Sequence, residues 1–199
     1  MADAYNPLDK LNLGKSVVEA LLETTAVGLE DVSAFAGAGI YAIYYHGLFE
    51  PYQPIATNDA SPIYVGKSVP SGSRKGASLT TSSTGKWLFS RISEHRDSIN
   101  AAQNLAVSDF IVRYLVVDDI WIPLGESLLI STFNPVWNQL IDGFGNHDPG
   151  AGRYNGLRPL WDVLHPGRPW ADKCKARTET HEELGRRLID FFAAQSKAV

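Results

Sequence analysis

Apolar positions change their period several times along the chain, and each change marks an element. Leu13, Val17, Val18, Leu21 and Leu22 recur at helical spacing, which predicts an amphipathic helix over residues 12–25. Gly28 and Gly37 bracket a short segment. The run Gly39-Ile-Tyr-Ala-Ile-Tyr-Tyr45 is then β-branched and aromatic, the composition of a strand. A Pro- and Asn-rich stretch from His46 ends it, and Pro62–Lys67 restores a strand pattern. Residues 68–85 are almost entirely Ser, Thr, Gly, Lys and Arg and predict an exposed loop, of a length usually tied to function or disorder. Trp87, Leu88, Ile92, His95 and Ile99 line one side of a helix over Trp87–Ile99. Phe110, Val112, Tyr114 and Val116 alternate with Ile111, Arg113 and Leu115 in a third strand, Asp109–Val117. Pro123 opens a helix that Asn134-Pro135 stops. Asp142–Ala176 reads as irregular, and Glu179–Gln195 closes with an amphipathic helix carried by Leu184, Leu188, Ile189 and Phe192. The order α-β-β-α-β-α, irregular, α implies an α+β fold. Its centre is a small, mainly antiparallel three-stranded sheet flanked by helices, with inserted loops and a C-terminal helix.

Composition narrows the class. A chain of 199 residues fits one domain and can bury a sizeable core. Its lone cysteine, Cys174, leaves no internal disulfide, fits a reducing cytoplasm and excludes a cysteine-based zinc finger. No apolar run approaches the roughly 18 residues that span a bilayer, so no membrane role is expected. Met1–Lys10 reads as polar and acidic, without the apolar region of a signal peptide. The net charge of −4 argues against a polyanionic partner until its distribution is considered. Acid concentrates early, at Asp3, Asp9, Glu19, Glu23, Glu30 and Asp31. Base concentrates in two later stretches, one holding Lys67, Arg74, Lys75, Lys86, Arg91 and Arg96, the other Arg153, Arg158, Arg168, Lys173, Lys175 and Arg177. Local potential, rather than net charge, governs attraction to nucleic acid.

Three familiar patterns fail on context. Gly37-Ala-Gly39-Ile-Tyr-Ala42 has the spacing of a dinucleotide fingerprint, but its glycines precede a strand instead of opening a helix. Gly66-Lys67-Ser68 imitates the end of a Walker loop, yet Ser61 stands where the first glycine is required. His165 and His181 have no ligand-spaced partner and read as surface residues.

What remains is a set of polar side chains on predicted elements. Tyr41 and Tyr64 lie in two strands joined by a loop. Arg91 and His95 are four apart and share a helix face. Glu126 follows Gly125 near a helix start, where its charge suits the macrodipole, and Asn138 lies just beyond that helix. Each alone has an ordinary structural explanation: packing tyrosines, a core histidine, a glutamate near a cap, a turn asparagine. Together, phenols, a guanidinium, an imidazole and one carboxylate suit a phosphodiester better than an acyl or glycosyl substrate. In order, Gly39-Ile40-Tyr41, Tyr64-Val65-Gly66, Arg91-x-x-x-His95, Glu126 and Asn138 resemble the GIY-YIG nuclease family over about Gly37–Asn138. The second tripeptide departs by one conservative change, and the spacing from Tyr41 to Tyr64 is longer than the family's compact form.

The resemblance implies a role for each residue. Glu126 would be the single protein ligand of Mg²⁺, one ion per site, with Mn²⁺ as a substitute; magnesium keeps most of its waters and takes phosphate oxygens from the substrate. Tyr41 would be the general base, its phenol pKa brought down from about 10 by roughly 2–3 units, or about 3–4 kcal/mol. Arg91 would hold charge growing on the phosphoryl group, and His95 would orient Tyr41 or relay its proton. Tyr64 would contact the phosphate or the attacking water, and Asn138 would fix neighbouring groups. Among family branches, the chain looks like a type II restriction endonuclease of the kind that cuts G·C-rich palindromes in double-stranded DNA, leaving 5′-phosphate and 3′-hydroxyl ends. That branch implies a homodimer, since a palindrome has twofold symmetry, and a cognate DNA methyltransferase. The implied organisation is a single domain over 1–199: a nuclease core at 37–138, an N-terminal helical extension at 1–36 and a DNA-reading or dimerising extension at 139–199. Candidate DNA contacts are Lys67, Arg74, Lys75 and Lys86 in the loop and Arg153, Arg158 and Arg168 in the irregular stretch; arginine pairs with guanine in the major groove. Two alternatives stand beside this reading: a structure-specific or repair nuclease of the same family, and a non-catalytic DNA-binding module on the same fold.

Overall fold

In the computed structural model, which describes residues 9–56, 59–70 and 85–196, a central sheet is wrapped by helices on both faces. Helix α1 (Lys10–Glu23) starts at Asp9, whose carboxylate accepts from the Leu11 N–H. Strands β1 (Val27–Gly28), β2 (Gly39–Tyr45) and β3 (Tyr64–Ser68) follow, then α2 (Trp87–Ala101), β4 (Phe110–Val116) and α3 (Ile122–Phe133). Asn134 ends α3 in the left-handed region at φ 47°, which its short polar side chain tolerates. Beyond it lie α4 (Val136–Gln139), α5 (Leu160–Leu164) and α6 (His181–Ser196). A reciprocal capping box starts α6: Thr180 Oγ1 accepts from the Glu183 N–H, and the Glu183 carboxylate accepts from the Thr180 N–H.

The sheet order is β1-β4-β2-β3, antiparallel throughout. Every residue of the central strand β2 is buried, which is why its sequence is apolar or aromatic without alternation. Its two faces feed two cores. Tyr41, Ile43 and Tyr45 pack with residues of α2, α4, α5 and α6. Ile40, Ala42 and Tyr44 pack with residues of α1 and α3, joined by Val65 of β3.

Four features depart from the pattern-based expectation. The sheet has a fourth strand, β1, whose two residues pair with Val112 and Ile111 and are too few to show a period. Short helical turns interrupt the stretch read as irregular. Ile189 in α6 and Val116 at the end of β4 are exposed, although periodicity assigned both to apolar faces. His165, read as a surface residue, is fully buried: its Nε2 meets the Tyr52 hydroxyl at 2.7 Å and its Nδ1 meets Asn104 Oδ1 at 3.0 Å. Trp137 Nε1 donates to the same hydroxyl at 2.7 Å. These partners come from segments about 30 to 110 residues away, so no local spacing could announce them. His181 is exposed, as expected.

Candidate active site

Pairing of β2 with β3 sets Tyr41 opposite Gly66. A Cβ at residue 66 would lie 2.3 Å from the Tyr41 hydroxyl, so the absent side chain is the space the phenol occupies. That hydroxyl lies 2.5 Å from His95 Nε2, contributed by the apolar side of α2, and both groups are buried. Burial pushes the Tyr41 phenol well above its ordinary pKa, with the neighbouring Tyr64 adding to the effect and Arg91 opposing it. Burial, followed by the Arg91 charge, holds His95 well below its ordinary value. Both shifts favour a neutral phenol beside a neutral imidazole. The lowered phenol pKa expected from the resemblance draws on Mg²⁺ as well as Arg91; the protein groups alone leave desolvation dominant.

Tyr64 completes the aromatic group. Its ring meets Tyr41 at 6.2 Å and His95 at 5.0 Å between centroids, and burial raises its phenol, with Arg91 opposing. Arg91, one turn before His95, interacts with both phenols. Its Nη2 donates to the Gly145 carbonyl at 2.8 Å, and its Nη1 donates to Glu94 at 3.0 Å and to His147 Nε2 at 2.5 Å. His147 Nε2 also approaches the Glu94 carboxylate at 3.3 Å.

Glu126 arrives from the opposite face. Tyr41 and Tyr64 project toward α2, whereas α3 packs on the other side of the sheet. Because β3 is an edge strand, the two sides meet around its rim. The Glu126 carboxylate is 2.5 Å from Lys67 Nζ, next to Gly66, and its charge is close enough to disfavour a Tyr64 phenolate. Among the described residues no cluster of three or more His, Cys, Asp or Glu could hold a metal, so Glu126 would act as a single carboxylate ligand. It fits a hard divalent cation: its carboxylate is partly exposed and already faces the Lys67 amine. Asn138 holds the rim in place. Its Oδ1 accepts from the Val65 N–H and its Nδ2 donates to the Val65 carbonyl, both at 2.8 Å.

A cleft of about 420 Å³ opens beside Arg91, lined by Ser68, Lys86, Trp87, Ser90, Arg91 and Glu94. All six expected catalytic residues thus border one edge strand. The expected DNA contacts are scattered. Lys86 is exposed at the cleft, Lys67 pairs with Glu126, and Arg153 is exposed. Arg158 is partly buried, bonded to the Ala171 carbonyl and to Asp172. Arg74 and Lys75 lie outside the described residues. Arg168 is a correction: it is buried and fully engaged with protein groups, so it has no donor to offer a base. Phe144, Gly145 and His147, which touch His95, Tyr64 and Arg91, were not anticipated. They belong to an aperiodic segment, and only the cluster Gly143-Phe-Gly-Asn-His147 hinted at a close-packed turn.

A family model described as the Eco29kI GIY-YIG domain matches residues 33–192. No curated protein matches the chain. The match extends beyond Asn138 and takes in the segment from Gly143 to α6, so that segment is part of the family domain.

Proposed function

The chain belongs to the Eco29kI-type GIY-YIG restriction endonuclease domain family, and from that premise we propose that it hydrolyses double-stranded DNA at a specific, G·C-rich palindrome. The products are 5′-phosphate and 3′-hydroxyl ends, and the working unit is a homodimer matched to the palindrome's symmetry. What supports the reading is the placement of Tyr41, His95 and Arg91 on one side of the sheet beside β3, with Glu126 paired to Lys67 of the same edge strand.

Nucleases of this family typically use a divalent metal, and Glu126 would hold it here as Mg²⁺, with Lys67 giving way. Such an ion supplies positive charge to the phosphate and to the leaving oxygen. The remaining work falls to the chain. Tyr41 accepts a proton from the attacking water as its own passes to His95 Nε2, so a buried phenolate never has to stand alone. Burial, followed by the Arg91 charge, keeps His95 neutral at rest and makes it a weak base, so it holds the relayed proton only in passing. Arg91 exchanges Glu94 for a phosphoryl oxygen and stabilises the charge that develops there. Tyr64 hydrogen-bonds the phosphate or the water, and Asn138 keeps β3 in register. Lys86 lies along the cleft where a phosphate backbone would run, and Arg153 remains available to a DNA groove. A DNA substrate in a restriction setting also implies a cytoplasmic location and a cognate methyltransferase.

Digestion of unmethylated plasmid and phage DNA with Mg²⁺ tests the proposal. Discrete bands whose sequenced ends share one palindrome are the expected result. Cleavage confined to branched substrates would assign a structure-specific nuclease instead. Binding without any cleavage would assign a non-catalytic module.

A further inference from the structure

Arg168 lies outside the catalytic set, yet it is among the most completely bonded side chains of the molecule. A guanidinium has five N–H donors, and each is used. Nε and Nη2 donate to the two oxygens of Asp162 at 2.6 and 2.5 Å. Nη2 also donates to the Gly143 carbonyl at 2.9 Å, and Nη1 to the carbonyls of Phe144 and Asn146, both at 3.0 Å. The group is flanked by the rings of Trp161 and Trp170, 4.6 and 4.7 Å from the guanidinium carbon. Its own segment is anchored on the turn just past α2: the Pro166 carbonyl accepts from the Gln103 N–H, and the Leu164 carbonyl from the Asn104 side chain. Arg91 and His95 belong to that same helix.

The three carbonyls that Arg168 holds belong to the loop that roofs the catalytic group. Phe144 stacks on His95, with centroids 4.5 Å apart and planes 19° from parallel, and meets Tyr64 edge-on at 4.9 Å. Gly145 receives Arg91, and a Cβ there would come within 2.8 Å of Arg91 Nη2 and 3.0 Å of the Tyr64 hydroxyl. The loop has no regular secondary structure of its own, so its shape depends on what grips its carbonyls.

We propose that Arg168, locked by Asp162, is a positioning residue: it pins the loop Gly143–Asn146 and thereby fixes Arg91 and His95 against Tyr41. The inference rests on the nuclease reading for its kinetic consequence but not for its structural one. Its test is Arg168→Lys, which keeps the charge and loses the five-donor fork. With unmethylated phage DNA and Mg²⁺, well below the variant's melting temperature, kcat falls about 10–100-fold while half-saturating DNA is unchanged, the scale set by misplacing catalytic groups. By NMR, the His95 ring resonance of the wild-type chain carries the shift of a stacked phenylalanine and does not titrate between pH 5 and 8. In the variant that stacking shift shrinks and titration begins. Asp162→Asn, which retains the volume and weakens the fork, is read in the same way should Arg168→Lys fail to fold. The proposal is overturned by a variant with wild-type kcat, by an unaltered His95 resonance with a loss confined to DNA affinity, or by a wild-type His95 that titrates normally. If the wild-type chain cuts no DNA while the His95 resonance still responds to Arg168→Lys, the positioning claim stands and the nuclease reading falls.

Discussion

Tyr41 and His95 form a hydrogen bond in which neither group is charged, and burial is the reason for both protonation states. In the proposed reaction Tyr41 therefore has to pass its proton along. Tyr41→Phe removes that path at nearly constant volume, and cleavage should fall by about 10²–10⁴-fold in single-turnover assays; wild-type turnover would refute the base role. Glu126→Gln should abolish cleavage with Mg²⁺ while gel-shift binding of DNA persists. Its stability should change by less than about 1 kcal/mol in urea titrations, because the Lys67 partner is well exposed and surface ion pairs contribute little. Tyr41 and Glu126 could be picked out from sequence as candidates because they fall within an ordered series of short motifs. His147 and Gly145 could not, because their bonds to Arg91 span more than fifty residues.

At the scale of elements, the edge strand β3 organises the site. A free strand edge exposes unpaired backbone groups. Here the chain around α4 covers it: Trp137 N–H donates to the Ile63 carbonyl at 3.0 Å, and Asn138 takes both backbone groups of Val65. Asn138→Ala should leave that N–H and carbonyl without protein partners and cost about 1–3 kcal/mol by chemical denaturation. It should also lower cleavage, since Tyr64 and Gly66 flank Val65. Gly66→Ala acts differently. Its Cβ displaces the Tyr41 hydroxyl, so a modest stability loss of about 1–3 kcal/mol should accompany a disproportionate loss of kcat. An alanine variant that cuts normally would show that the phenol need not sit where it does. Helix α2 was legible from its period, β4 from its alternation and β2 from its β-branched and aromatic run; β1 was not, with only two residues to show a pattern.

For the molecule as a whole, the two buried histidines make stability depend on pH. His95 and His165 are both held well below their ordinary values by burial. Below about pH 6.5 the unfolded chain takes up protons at these sites that the folded chain refuses. Their contribution is thus complete above pH 6.5 and is lost as pH falls, at about 1.4 kcal/mol per pH unit for each histidine. Urea titrations between pH 7.5 and 5 should show this slope, and His165→Gln should remove about half of it. A flat profile would mean that one or both rings reach water. The same whole-molecule view accounts for Arg168: read from charge and position it belonged with DNA-contacting arginines, and only its burial between two tryptophans turned it inward.

The sequence by itself determined the elements with a clear period, the α+β class and six candidate site residues that fall on or beside the elements around β3, because helices and strands repeat their contacts locally and the motifs keep their order. Tertiary structure alone decided which protonation states those residues hold, that Glu126 reaches the site from the far face, and that a distant arginine grips the loop above them. Desolvation and long-range hydrogen bonds depend on which segments meet in space, and that information has no period along the chain.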